Sequence, residues 1–168
     1  MALHQYETPD TGVVARPTGS GRFQTEIAVR GTRFFADEPA EVGGAGTGPT
    51  PYELLSAALA ACTAMTLRLY AERKGWELPP FCVEVAHAIV PGAAGERPRD
   101  RFARHIALDG DLPEERRAKL LEIADKCPVH RTFMRGFEVV TDLGPAGERP
   151  AGEPPARHEQ ELEAVCAD

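Results

Sequence analysis

The chain has 168 residues, 42% of them hydrophobic and 27% charged, with a formal net charge of -7. That length fits one domain able to bury a real core, and the negative balance argues against nucleic acid, whose phosphates need basic patches. Four cysteines without short regular spacing do not make a secreted disulfide framework.

The start, Met1 to Glu7, has no basic stretch followed by an apolar one, so it does not read as a secretory signal. No run reaches the ~18 apolar residues expected of a membrane span. The expectation is a cytoplasmic protein in a reducing compartment, with no membrane part.

Residues 1–20 are polar and loosely ordered by composition, apart from a short strand at Val13-Val14-Ala15. Phe23, Thr25, Ile27 and Val29 alternate with Gln24, Glu26 and Ala28, the period of a half-buried strand. Arg30-Gly31 fits a hairpin turn into a strand over Thr32–Ala36. Residues 38–49 are glycine-rich and read as a flexible connector. They lack a Gly-Lys-Ser/Thr ending, so they are not a phosphate loop.

A helix begins near Pro51. Thr50 suits the N-cap, Pro51 the first helical position and Glu53 the third, which is a capping box. The run from Leu54 to Leu67 carries no charge, so this part should be surrounded by protein. Charges return at Arg68, Glu72, Arg73 and Lys74, and Gly75 is a natural stop.

Phe81–Val90 and Arg101–Leu108 read as two strands. In the first, Phe81, Val83, Val85 and Ile89 share a face and leave Cys82 on the other. Asp111-Leu112-Pro113-Glu114-Glu115 opens a second helix with acids in its first turn. A short helix follows from Pro128 to about Met134, and Phe137–Leu143 reads as a last strand. Residues 144–168 form a Pro/Gly-rich tail with six acids and two arginines, whose end is a short helix or disordered.

Two cysteines carry the chemical interest. Cys62 lies mid-helix among Ala60, Ala61 and Ala64. A lone buried cysteine ordinarily packs as a small hydrophobe, and an apolar site raises its pKa. Reactivity there needs a cation from elsewhere in the fold. Cys127 precedes Pro128, which pushes it out of the helical region. It can then cap the next helix and face unpaired N–H groups, a position that favours thiolate. His130 could add a donor or a charge.

The competing reading is that Pro128 merely separates two helices. Cys127-x-x-His130 is a weak zinc signal, because zinc wants three or four protein ligands and no second pair has matching spacing. Cys82 and Cys166 look incidental. Glu53, nine residues before Cys62, falls ~180° around the helix, and the capping box already explains it.

Pro51-Tyr52-Glu53-Leu54, Ala60-Ala61-Cys62 and Cys127-Pro128-Val129 resemble the OsmC/Ohr family in type, order and separation. The resemblance spans roughly residues 20–143, so the chain divides into residues 1–20, a domain over 21–143 and the tail 144–168. It implies an α+β fold with antiparallel sheets, a long buried central helix and an intertwined homodimer.

The resemblance also implies a thiol peroxidase acting on organic hydroperoxides and hydrogen peroxide. Cys62 would be the peroxidatic nucleophile. Cys127 would resolve its sulfenic acid to a disulfide, and a dithiol of lipoyl or other type would reduce it. No metal or cofactor is implied.

The family glutamate stands ten residues before the first cysteine; here that position is Tyr52 and Glu53 follows it. A one-residue shift is ~100° around a helix. The family arginine is matched by no motif here; Arg30 is the candidate, with Arg22 and Arg16 behind it. The versions Gly48 to Leu55 and Cys127 to Thr132 look most like a less characterised OsmC-like subgroup, whose members often carry extra cysteines after the first long strand; here that region, Pro91–Asp100, has none. Two other readings stand beside the peroxidase: a thiol-redox or electrophile-handling protein using the same cysteines, and a non-catalytic dimeric binding protein.

Overall fold

The computed structural model describes residues 12–93 and 95–144, with Ala164. Most of the tail and the first eleven residues, including the expected C-terminal helix and Cys166, lie outside the described residues. The described chain forms two compact units, one of residues 12–51 and 139–144, the other of residues 52–138.

The first unit is a three-stranded antiparallel sheet in the order β1 (Val13–Pro17), β2 (Thr25–Val29), β3 (Thr32–Ala36). The β2–β3 hairpin turns on Arg30 and Gly31, with φ of 45° and 77°. Two successive positive φ values define a turn whose twist matches the strands it joins. Glycine at the second position lowers its strain.

The glycine-rich stretch after β3 is a folded loop, where the composition predicted a flexible connector. Its anchor is the buried carboxylate of Asp37. That group accepts hydrogen bonds from the backbone N–H of Glu38, Ala45 and Thr47 and from the Thr47 hydroxyl, at 2.9–3.2 Å. A Cβ on Gly44 would fall on the Glu38 carbonyl and one on Gly48 on the Phe35 carbonyl. The glycines therefore serve close backbone approach.

The second unit is built on helix α1 (Pro51–Arg73) and a hairpin of β4 (Phe81–Val90) and β5 (Arg99–Leu108). The hairpin pairs antiparallel from Phe81↔Leu108 to Val90↔Arg99. Helices α2 (Glu114–Asp125) and α3 (Pro128–Arg135) complete it.

α1 buries Ser56, Leu59, Cys62, Thr63, Thr66, Leu67, Tyr70 and Ala71. These recur at three- and four-residue intervals, so they form one stripe. The upper part of that stripe, Leu67 and Tyr70, meets Leu112, Leu120, Ile123 and Ala124, with Trp76, Phe81, Ile106 and Leu108 around them. The lower part, Leu59 and Cys62, meets Cys127, Val85, Phe102, Val129 and Phe133.

Four expectations are corrected. The uncharged part of α1 is not surrounded by protein among the described residues: Leu55, Ala58, Ala61 and Met65 are exposed. By length and composition α1 is also apolar enough to cross a membrane, with a mean hydropathy of 1.5 over its best window. Its apolar stripe is nonetheless packed on α2, α3 and the hairpin as a core helix.

α2 starts at Glu114 with the expected acids Glu114 and Glu115 in its first turn, but its N-cap is Pro113, without a side-chain cap, where Asp111 or Leu112 was expected near the cap. Leu112 is taken instead by the core. Phe137–Leu143 forms no strand: its alternation finds no ladder partner among the described residues, and Phe137, Val139, Val140 and Leu143 are exposed. An apolar period makes a strand only where an edge is there to pair.

A buried cysteine pair beside an aromatic pocket

Cys62 comes from the middle of α1 and Cys127 from the start of α3. Both are buried free thiols in one apolar cluster. Cys127 is the N-cap of α3, with φ -58° and ψ 138°, and Pro128 follows at the first helical position. Its sulfur accepts the backbone N–H of His130 at 3.3 Å. The histidine thus contributes its main chain to the sulfur, while its ring Nδ1 lies 3.9 Å from Asp125.

The sulfur has further partners. The Thr63 hydroxyl reaches it at 3.7 Å while also lying 2.8 Å from the Leu59 carbonyl one turn back. The Cys62 thiol hydrogen-bonds it directly. That bond lowers the Cys127 thiol to about 6. Burial opposes the shift, and the His130 N–H, the Thr63 hydroxyl and the charge of Arg104 assist it. The same bond, with burial, pushes the Cys62 thiol up. One proton is therefore shared unequally: Cys62 keeps it and Cys127 carries the negative charge.

Arg104 is the cation beside the pair. Its Nη1 donates to the Thr63 hydroxyl at 3.1 Å and to the Ala124 carbonyl at 2.9 Å. Its Nη2 pairs with Asp125 at 2.7 Å. None of the sequence candidates is this residue. Arg30 is exposed at the β2–β3 turn of the first unit, Arg22 lies over the Phe23 ring there, and Arg16 pairs with Glu26 at 3.7 Å.

Glu53 sits exposed in the first turn of α1. It is nine residues from Cys62, about 13 Å along the axis and half a turn around. Within this chain α1 does not bring Glu53 and Cys62 together. Cys82 is exposed on the outer face of β4, as expected for an incidental thiol.

Arg104 and Thr63 are the residues that the sequence reading missed. The signal was present. Phe102, Arg104 and Ile106 alternate inward along β5, and a charge at an inward position of an alternating strand calls for a partner. His87 is the same case on β4, after Phe81, Val83 and Val85. Ile89, expected on the same face two residues further, is exposed. His87 stacks on Tyr52 with ring centroids 4.1 Å apart, leans on Phe102, and meets Asp100 through Nε2 at 2.7 Å.

Beside the thiols lies a cavity of about 480 Å³ lined by Tyr52, Leu55, Leu59, Asp100, Phe102, His130, Phe133, Met134 and Phe137. Leu59, Phe102 and Phe133 are shared between its wall and the cysteine cluster. Among the described residues no group of histidines, cysteines and carboxylates could hold a metal.

The arrangement defines an α+β protein with a polarised dithiol packed behind Leu59, Phe102 and Phe133, which line an aromatic pocket. The family model described as OsmC-like protein matches residues 44–142, more than half of the chain, and the chain belongs to that family.

Solved structures agree in fold. The chain is similar to an osmotic stress induced and detoxification response protein from Psychrobacter arcticus, at 18% identity and a TM-score of 0.62. That match covers 76% of this chain and 90% of the other. It is similar to an organic hydroperoxide resistance protein OsmC from Legionella pneumophila, at 21% identity and TM-score 0.56, over 79% and 91% of the two chains. OhrB of Bacillus subtilis, an organic hydroperoxide resistance protein, matches at 21% identity and TM-score 0.55, over 72% and 87%. No curated protein matches the sequence.

Proposed function

We propose that this protein is a cysteine-based peroxidase that reduces organic hydroperoxides and hydrogen peroxide. The observation that carries the reading is the hydrogen-bonded pair Cys62 and Cys127, brought together from 65 residues apart beside an apolar pocket. Hydroperoxide resistance in the names of the Legionella and Bacillus proteins supports it.

The pocket holds the organic part of the substrate, with the peroxide toward Cys62. The Cys62 sulfur attacks the distal oxygen. An S–O bond forms, the O–O bond breaks, and the departing alkoxide takes a proton to leave as an alcohol. The negative Cys127 sulfur, accepting the Cys62 S–H, draws that proton away and makes the attacking sulfur more nucleophilic. Cys127 then attacks the Cys62 sulfenic acid. The S–S bond forms and hydroxide leaves as water. A dithiol reductant, lipoyl-type or other, restores both thiols.

The protein works as a homodimer in the cytoplasm on this reading. On this reading Glu53 and an arginine such as Arg30 act at the site only if a second chain supplies them.

The test is stopped-flow reaction of reduced protein with tert-butyl hydroperoxide, followed by mass mapping. Fast consumption ending in a Cys62–Cys127 bond is expected. Cys62→Ser abolishes it, and Cys127→Ser leaves a Cys62 sulfenic acid. Reaction no faster than a free thiol overturns the peroxidase. Selective reaction with disulfides would then assign the pair to thiol exchange.

A further inference from the structure

Arg104 is a charged side chain, 13% exposed, on the inward face of β5. Its position is fixed by three acceptors on two helices: Thr63 of α1, and Ala124 and Asp125 of α2. Only one of these, Asp125, is a carboxylate, and that group is largely solvated. The guanidinium charge is therefore not simply cancelled by its partner.

Thr63 transmits the charge toward the thiols. Its oxygen receives the Arg104 N–H, which polarises the hydroxyl and strengthens it as a donor. The single hydroxyl proton lies between two acceptors, the Leu59 carbonyl and the Cys127 sulfur. A negative sulfur draws it more strongly than a neutral one.

The two sulfurs are thus unequal by construction. The charged and polar groups that act on Cys127 are Cys62 and Thr63 from α1, Arg104 from β5 and the His130 N–H of α3, with Asp125 of α2 paired to Arg104 and 3.9 Å from the His130 ring. Cys127 also has the α3 N-terminus. Cys62 sits mid-helix, where its own helix offers no free N–H groups; its other partners, the Val129 backbone N–H and the Thr66 hydroxyl, are neutral.

We propose that Arg104, acting through Thr63, is a positioning residue that makes Cys127 the leaving sulfur of the Cys62–Cys127 disulfide, so that the reductant attacks Cys62. The inference rests on the disulfide of the reading above and concerns its reduction. In that step a thiolate of the dithiol forms a bond to the Cys62 sulfur. The S–S bond breaks and Cys127 departs as a thiolate, its charge met by Thr63, Arg104 and the His130 N–H. The second thiol of the dithiol then attacks the mixed disulfide and releases Cys62. Two electrons pass from dithiol to protein. A sulfur whose thiolate is stabilised leaves faster, so the direction of attack follows from the placement of Arg104.

The disulfide is formed with a chemical oxidant, diamide, so that the test does not depend on peroxide chemistry. A limiting monothiol is added, the reaction is acid-quenched, and the mixed disulfide is mapped by mass. A second readout is the ultraviolet absorbance of the Cys127 thiolate against pH, in full-length protein with the other three cysteines replaced by serine.

In the wild type the mixed disulfide is expected on Cys62. Arg104→Met should raise the Cys127 midpoint by about one pH unit, slow reduction roughly three- to tenfold and spread the mixed disulfide over both sulfurs. Arg104→Lys should restore part of the effect. Thr63→Val, which keeps the shape and removes the hydroxyl, should reproduce it and carries the test if Arg104→Met does not fold.

A mixed disulfide on Cys127 in the wild type overturns the inference. So does an unchanged midpoint in folded Arg104→Met or Thr63→Val, or a pair that diamide cannot close. A disulfide that closes with diamide but not with hydroperoxide overturns the peroxidase alone.

Discussion

Thr63 links Arg104 to Cys127, taking a hydrogen bond from the guanidinium at 3.1 Å and reaching the sulfur at 3.7 Å. The three residues come from β5, α1 and α3. Their meeting places the negative charge of the reduced pair on Cys127, next to a cation, and leaves the proton on Cys62 in the apolar stripe of α1. The pH dependence of the reduced protein follows from that division.

Cys127 titrates near about 6 in the folded chain, against an ordinary value of 9.0, because Cys62 donates to it, with burial opposing and His130, Thr63 and Arg104 assisting. A lowered folded value means stability that is fully present above the unfolded pKa and lost as the pH falls through the folded one. Cys62 is shifted upward, so its contribution is present below the unfolded value and lost as the pH rises beyond it. Stability from the pair should therefore rise between about pH 6 and 9, by at most ~1.4 kcal/mol per pH unit, and then fall. Urea midpoints of the reduced protein and of Cys127→Ala, measured across that range, should diverge toward pH 9. Parallel curves would refute the division of charge.

The upper core gives a stability prediction of ordinary size. Ile123 is fully buried against Leu67, Tyr70 and Leu120, whereas Leu121, two residues earlier, is 62% exposed. Truncating a buried Ile to Ala removes transfer energy and leaves a cavity, for about 2–5 kcal/mol. Ile123→Ala should lose that amount in denaturant unfolding, and Leu121→Ala should lose less than about 1 kcal/mol. Equal losses would show that the second face of α2 is also covered.

How far the sequence reached depends on whether each signal was local. Cys127 as an N-cap was legible because Pro128 constrains its neighbour directly. The α1 start at Pro51, the Arg30-Gly31 turn and the β4–β5 hairpin were legible from spacing and turn chemistry. Arg104 was not, since its role depends on which strand position faces which turn of α1, a pairing across 41 residues. Phe137–Leu143 misled for the converse reason: its alternation was real, but no described edge pairs with it. The motif resemblance supplied the pairing of Cys62 with Cys127, which spacing alone left open.

The pocket should select for the organic part of the substrate. Phe133 lines the cavity, packs against the cysteine cluster and stands 5.0 Å from the Phe102 ring. Shortening it to alanine enlarges the cavity and removes an aromatic wall. With the peroxidase reading, Phe133→Ala should raise KM for cumene hydroperoxide about tenfold and change hydrogen peroxide kinetics little, because hydrogen peroxide has no apolar part to bury. Steady-state rates with the two substrates decide it. An equal loss for both would mean that Phe133 supports the thiols and not the substrate.

The exposed side of α1 bears on assembly. Ala58, Ala61 and Met65 lie on one face of the helix, with Leu55 at its edge, and Met65 is 57% exposed. A helix apolar on nearly all sides is ordinarily covered all round, and among the described residues of its own unit the buried stripe of α1 packs on the hairpin, α2 and α3. A second copy packing on this face would supply the missing cover. Lysine placed at the centre of such a contact would be buried without a partner. Met65→Lys should weaken association by about a hundredfold or more, seen as a concentration-dependent fall to monomer mass in light scattering, with helical content preserved. If the wild type is a dimer, as the proposed function has it, a variant that keeps the dimer mass would move the contact off this face of α1.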